Sequence, residues 1–175
     1  MDNGGNSNTG SNGEALVRSA EVLHEVVPGL LTELGSSGPA PSTYLVDAEL
    51  SCLRPEIEAQ QTETSWTVHT EGRATDLAAA KASVDRAAAF MEAQGWDKVS
   101  DKPTGGAAHG AGFAQEDRTL RIQALDGKSG ARLELRAGTD CYAHPEDHIM
   151  TRAATDPGYG KSNPNYDAEA EKAAQ

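Results

Sequence analysis

Apolar residues recur along this chain with two different periods, and the pattern stops near both ends. Leu16, Ala20, Leu23, Val27, Leu30, Leu31 and Leu34 follow the spacing of one helical face. Asn12 is placed to cap that helix, Glu14 suits its first turn and Gly35 ends it. Pro28 removes one backbone donor inside it, which predicts a kink or a split. Residues 36–42 (SSGPAPS) read as a loop. Alternation then takes over. Tyr44, Val46, Ala48 and Leu50 stand against Leu45, Asp47, Glu49 and Ser51, as in a strand with Cys52 on the Tyr44 face and Pro55 at its end. Residues 56–63 are polar and carry no clear period. Residues 64–70 (TSWTVHT) are rich in β-formers, with Trp66 and Val68 on one face and Thr67 and His69 on the other.

Residues 75–94 give the clearest helix, striped by Leu77, Ala80, Val84, Ala87, Ala88 and Met91. Asp76 suits its positive end. Gly95 is a left-handed stop, and Trp96 beyond it can fold back on Met91. The many alanines let this helix approach a sheet closely. Residues 97–102 predict a short strand, 103–112 (PTGGAAHGAG) a loop, and 113–116 a strand turning at Asp117. Leu120, Ile122 and Ala124, then Leu133, Leu135 and Ala137, alternate with polar residues on either side of a turn at 126–130. That is a hairpin with one wet face and one dry face. The sum predicts an α+β fold: two helices packed on one face of a mostly antiparallel sheet of about four to five strands, with one disulfide. Residues 13–142 form this single domain. Residues 1–12 are a flexible tether, and residues 143–175 a mostly disordered C-terminal tail with a short helix at 167–174.

Charge narrows the partners. A net charge of −12 and a pI of about 4.7 exclude nucleic acid and argue against docking on anionic lipid headgroups. No apolar run approaches the ~20 residues that span a bilayer. The first residues show neither a basic end nor an apolar stretch. For an exported protein the expectation is therefore a start after the cleavage point, with Met1 an added residue. Two cysteines suit one bridge, Cys52 to Cys141, worth about 4–5 kcal/mol in the chain-entropy picture. A bridge points to an oxidising compartment.

Candidate chemistry is sparse. In HPEDH, His144 and His148 stand four apart, and on a helix they can share a metal with Glu146 or Asp147. Pro145 and the tail position argue against a stable site. GKS at 127–129 lacks the glycine five residues earlier that a phosphate loop needs, since Ile122 stands there. The glycines around His109 make a plain loop, or a lid over a pocket. His24 and His69 are single histidines on regular elements, at or near the surface. Asp47 and Glu49 share a strand face, read as solvated. Trp66, Trp96 and Tyr44 are core anchors. No catalytic, cofactor-binding or metal-binding residue is assigned; Cys52 and Cys141 are assigned as the disulfide.

The order of these pieces carries a resemblance. A Gly/Ser/Asn stretch (NGGNSNTGSNG) leads to an amphipathic helix, then ELSC, TSWTVHT, an alanine-rich helix ending EAQGWDKVSD, and a hairpin with the second cysteine (RTLRIQALDG…ARLELRAGTDCY). This layout, over residues 1–142, resembles the mature ectodomains of small actinobacterial lipoproteins of uncharacterised function. The resemblance implies an outward-facing, extracellular domain of the cell envelope, lipid-anchored upstream of residue 1 in the native protein, and carries over no catalytic residue. The expected function is a non-enzymatic binding or regulatory module with a protein or small-molecule envelope ligand. It predicts an exposed apolar or acidic face on the sheet or first helix. Two alternatives stand beside it. An acidic immunity- or inhibitor-type protein would mask a basic partner with a dense carboxylate patch. A small hydrolase-type enzyme would converge His69 and His109 with carboxylates in a deep pocket.

Alkylation of the unreduced protein is expected to add no label by mass. Two labels would mean free thiols and a reducing compartment.

Overall fold

The two amphipathic stripes are buried on the same face of one sheet. The computed structural model describes residues 9–35, 40–54, 61–128 and 130–173. Along the chain these form α1 (Thr9–Gly35), β1 (Ala40–Ser51), β2 (Glu63–Arg73), α2 (Leu77–Ala93), β3 (Asp97–Ser100), β4 (His109–Gln115), β5 (Arg118–Leu125), β6 (Arg132–Thr139), β7 (Tyr142–Ala143) and α3 (Ala168–Ala173). The strand order is β1-β2-β6-β5-β4-β3, with β7 beside the start of β2, and the strand pairs are antiparallel. The α+β class is as expected, but among the described residues the sheet has seven strands rather than four or five. β7 is a strand not expected from the sequence, and the glycine segment, expected as a loop, joins β4. β4 begins at His109, because Gly110 and Gly112 let it pack tightly on β5. A Cβ at Gly110 would lie 3.0 Å from the Ile122 carbonyl oxygen.

Local signals explain the helix ends. Asp76 caps α2, its carboxylate accepting the Ala79 amide at 2.8 Å. At the other end Gly95 has φ +81°, its amide donates to Glu92, and the Trp96 amide donates to Met91 at 3.1 Å. That pair of bonds is a Schellman motif, and Trp96 and Met91 are both buried. α1 begins earlier than expected, so Asn12 lies inside it rather than at its cap. Residues 1–8 of the expected tether lie outside the described residues. α1 also runs unbroken through Pro28. One lost ladder bond is outweighed there by the buried Leu23, Val27, Leu30 and Leu34 on either side.

The hairpin has the register that its alternation predicts. Leu120, Ile122 and Ala124 oppose Ala137, Leu135 and Leu133, and all six are buried against the helices. Trp66 and Val68 of β2 join them, as do Ala80, Val84, Ala87 and Ala88 of α2.

β1 departs from its predicted faces. Tyr44 pairs with Thr70, yet Val46 pairs with His69 and Asp47 with Val68. The extra residue between Tyr44 and Val46 is a bulge, and it reverses the side on which every later side chain falls. Asp47 and Glu49, expected on a solvated face, therefore point inward beneath α1, at 1% and 2% exposure.

The C-terminal segment also differs from expectation. Residues 144–173 are not a disordered tail but fold back on the outer edge of β1. The Glu49 amide donates to the Thr151 carbonyl and the Ala153 amide to the Asp47 carbonyl, each at 2.9 Å. Met150, Arg152, Ala168 and Glu171 are buried. Arg152 pairs with Glu171 at 2.6 Å and stacks on the Tyr166 ring at 4.3 Å. The segment thus supplies backbone partners to what would be an open sheet edge.

Ile122→Ala is expected to cost about 2–5 kcal/mol, and Leu45→Ala, on the exposed side of the bulge, about 0.5 kcal/mol or less. Urea unfolding measures both. Equal costs would contradict the register.

Candidate functional site

Two regions concentrate polar side chains, one on each face of the sheet. On the helix face lie the two carboxylates that the bulge turns inward. Asp47 Oδ1 accepts from His24 Nε2 and from Trp66 Nε1, each at 2.9 Å, while its other oxygen accepts from Thr155. Burial pushes this carboxyl up, but the hydrogen bonds from His24, Thr155 and Trp66 outweigh it and hold the group below its ordinary value. Glu49 Oε1 gathers His148 Nε2 at 2.5 Å, His144 Nε2 at 3.6 Å and the Thr64 hydroxyl. Its Oε2 accepts the Thr151 amide at 3.1 Å. Burial opposes ionisation of Glu49 as well, and the bonds from His148 and Thr64 overcome it. The His144 and His148 rings stack 3.9 Å apart and 9° from parallel. Burial, and then the neighbouring His148, lower the pKa of His144.

The structure thus brings together two residues singled out in the sequence and supplies them with a different carboxylate. His144 and His148 meet, but on a turn rather than a helix, with the His148 amide bonded to the Pro145 carbonyl. Glu146 and Asp147 are exposed, and Glu49 takes the carboxylate position. The alternation around Glu49 marked it as one of a carboxylate pair. Nothing local linked it to histidines 95 and more residues away.

Among the described residues, α1 and α2 leave the opposite face of the sheet uncovered. β2, β6 and β5 present three cross-strand rows there: Arg73, Arg132 and Leu125; Glu71, Glu134 and Gln123; His69, Arg136 and Arg121. Like charges stand directly opposite one another at Arg73/Arg132, Glu71/Glu134 and Arg121/Arg136, an arrangement that costs sheet stability. Diagonal and same-strand pairs offset part of it, Arg136 to Glu134 at 2.5 Å and Arg132 to Glu71 at 3.8 Å. Burial pushes the Glu134 carboxyl up, but Arg136 and His69 outweigh it and hold it below its ordinary value. His69 Nε2 lies 3.0 Å from Glu134 Oε1, yet off the line a hydrogen bond needs, so this buried nitrogen has no hydrogen-bond partner among the described residues.

The β3–β4 loop bends over this face. The Thr104 amide donates to Gln123 Oε1 at 2.7 Å, and Arg121 donates to the Lys102 carbonyl at 2.9 Å. Gly105 and Gly106 take left-handed backbone angles there. Beneath the loop is a cleft of about 350 Å³ lined by Thr104, Gly105, Arg121, Gln123, Glu134 and Arg136, among others. The lid reading of the glycine loop therefore has a geometric basis, with the cleft on the side away from His109. The surface itself is not the apolar or acidic face expected from the sequence, since basic rows flank its acidic row.

Other candidates scatter. His109 faces the helices and bonds Asp85 of α2 at 2.7 Å, on the opposite side of the sheet from His69, so the expected convergence of those two histidines does not occur. His24 serves Asp47. Trp66 and Trp96 are core residues as expected, and Tyr44 packs against the core. Gly127 and Gly130 close the hairpin turn, with Ser129 outside the described residues. Cys52 and Cys141 form the disulfide, at 2.05 Å. No helix among the described residues is long and apolar enough to cross a membrane. No protein-family model matches the chain, and neither a curated protein nor a solved structure matches it.

Two further carboxylates tie distant parts of the chain together. Asp117 accepts from Ser19 of α1 and Tyr142 of β7, and Glu171 accepts from Arg152 and the Gly160 amide. In each, burial raises the pKa but the hydrogen bonds prevail and leave it lowered. A lowered folded pKa contributes stability that is complete above the unfolded value and lost as pH falls through the folded one. Lowering the pH below about 4.5 is therefore expected to release residues 150–173 ahead of the hairpin core. Amide hydrogen exchange measures this, and equal protection of both regions across that range would contradict it.

Proposed function

We propose that this chain is a non-enzymatic binding module of a bacterial cell envelope that holds a small polar anion in the cleft on the open face of the sheet. The observation that carries the reading is the placement of Arg121 directly opposite Arg136 beneath the glycine loop. Facing arginines repel each other, the Glu134 contact to Arg136 and the Lys102 carbonyl on Arg121 offset only part of this, and arginine suits carboxylate or phosphate oxygens. In a chain of net charge −12 this is a local reversal of sign. Glu134 and Glu71 in the next row accept hydrogen bonds, so the ligand that suits the site bears hydroxyl or amine donors as well as its negative group.

The envelope part of the proposal rests on the layout of the sequence and on the disulfide, which suits an oxidising compartment. Lipid anchoring upstream of residue 1 belongs to the same proposal. No nucleophile–base pair enters the reading, and the histidines that a hydrolase would use lie on opposite faces.

Titration of isotope-labelled protein with glucose 6-phosphate, glutamate and neutral glucose tests the site. The two anions are expected to shift amides of β5, β6 and residues 103–108, and glucose is not. Arg136→Ala is expected to weaken anion binding about tenfold or more. Absence of shifts with both anions at millimolar concentration would refute the assignment.

A further inference from the structure

We propose that Glu49, His144 and His148 form a site for a divalent transition-metal cation, with zinc the best match. The site is independent of the open-face cleft. It lies on the other side of the sheet.

The donor set is the first argument. Two imidazole nitrogens and one carboxylate oxygen suit zinc, and a fourth position is left for solvent. Ligand atoms about 2.0–2.1 Å from a tetrahedral zinc stand about 3.3 Å from one another. Here the carboxylate oxygen is 2.5 Å from one imidazole nitrogen and 3.6 Å from the other, and all three atoms fall within 4.8 Å of one another. Shifts of about 1 Å or less along rotatable bonds bring this triangle to the metal-bound size. The stacked rings present both Nε2 atoms to the same oxygen.

The surroundings are the second argument. Thr64 bonds Glu49 and also lies 2.7 Å from His144 Nε2, and the Thr151 amide holds the other oxygen of Glu49. The Thr151 contact is an outer one of the kind that fixes ligand orientation at metal sites, whereas the Thr64 hydroxyl sits on the ligand atoms themselves and a bound cation displaces it. Among the described residues Glu49 forms ion pairs with these two histidines, and none with lysine or arginine is seen. The other cluster of suitable donors, His69, Glu71 and Glu134, has Arg132 and Arg136 against its carboxylates, which disfavours a cation there. His144 is nearly buried, whereas the His148 side chain is 22% exposed and gives a cation access from solvent.

The third argument is covalent. Cys52 lies three residues after Glu49, and Cys141 three residues before His144. The disulfide therefore joins the strand that bears the carboxylate to the segment that bears the imidazoles, with its Cα atoms 6.2 Å apart. Ordering the three ligands is thereby done before any cation arrives, which lowers the entropy cost of binding.

The test uses the whole oxidised chain with zinc, and with cobalt(II) as a spectroscopic substitute. Expected are one equivalent bound by calorimetry, a cobalt spectrum of the intense tetrahedral type, and a rise in melting temperature on adding zinc. His148→Ala should abolish the tetrahedral spectrum and weaken zinc binding by about 100-fold or more. His109→Ala, on the same face of the sheet but away from the cluster, should bind as the parent does. His148 is partly exposed, so its variant is expected to keep its circular dichroism spectrum. Binding of zinc by His148→Ala with parental affinity would overturn the proposal, as would a weak octahedral cobalt spectrum or no binding by the parent chain.

Discussion

A carboxylate taken out of water stays ionised only if the protein gives it hydrogen-bond donors, and the inner face of β1 carries two of them. Every neighbouring part of the fold contributes to meeting that demand. α1 supplies His24, β2 supplies Trp66 and Thr64, and the C-terminal segment supplies His148, Thr151 and Thr155. The same segment also pairs its backbone with the outer edge of β1. Asp47 and Glu49 are therefore the points at which the first helix, the sheet and the last 30 residues are fastened together. Removing Asp47 would strand donors on three elements and removing Glu49 donors on two, which costs more than any one of the bonds contributes.

The disulfide and this polar network reinforce each other. Cys52 follows Glu49 by three residues, and Cys141 precedes His144 by three, so the covalent link holds the two halves of the network in register. A domain whose core is built largely from alanine and short aliphatic residues has limited apolar area to bury, and it gains from a staple placed where its sequence-distant parts meet. The two faces of the sheet divide the roles. The helix face is committed to packing and to the buried network. The other face, which α1 and α2 leave uncovered, keeps its charged rows around the cleft beneath the β3–β4 loop.

Several features were legible because they depend on nearby residues. The α2 stripe with Asp76 before it and Gly95–Trp96 after it appears in the structure as a capped helix with a Schellman end. The β5–β6 hairpin has its dry side where Leu120, Ile122, Leu133 and Leu135 place it. The cysteine pair was readable from its count. The candidate site was legible only in fragments. His144 and His148 stood out by their spacing, and Asp47 and Glu49 by sharing a face, but nothing in either motif pointed to the other. The charged rows of the open face were visible only as the polar half of an alternation, since which arginine opposes which depends on strand register.

By itself, then, the sequence determined the periodic elements, their caps and turns, the α+β class and the pairing of its two cysteines. Those follow from steric and hydrophobic preferences acting over a few residues. Tertiary structure decided which way the β1 carboxylates face, because one bulge residue at Leu45 inverts the parity of everything after it. It also decided that residues 144–173 fold at all. That segment has little of its own to bury, and it is ordered by donors and acceptors about 100 residues away on β1, an interaction that no local pattern encodes.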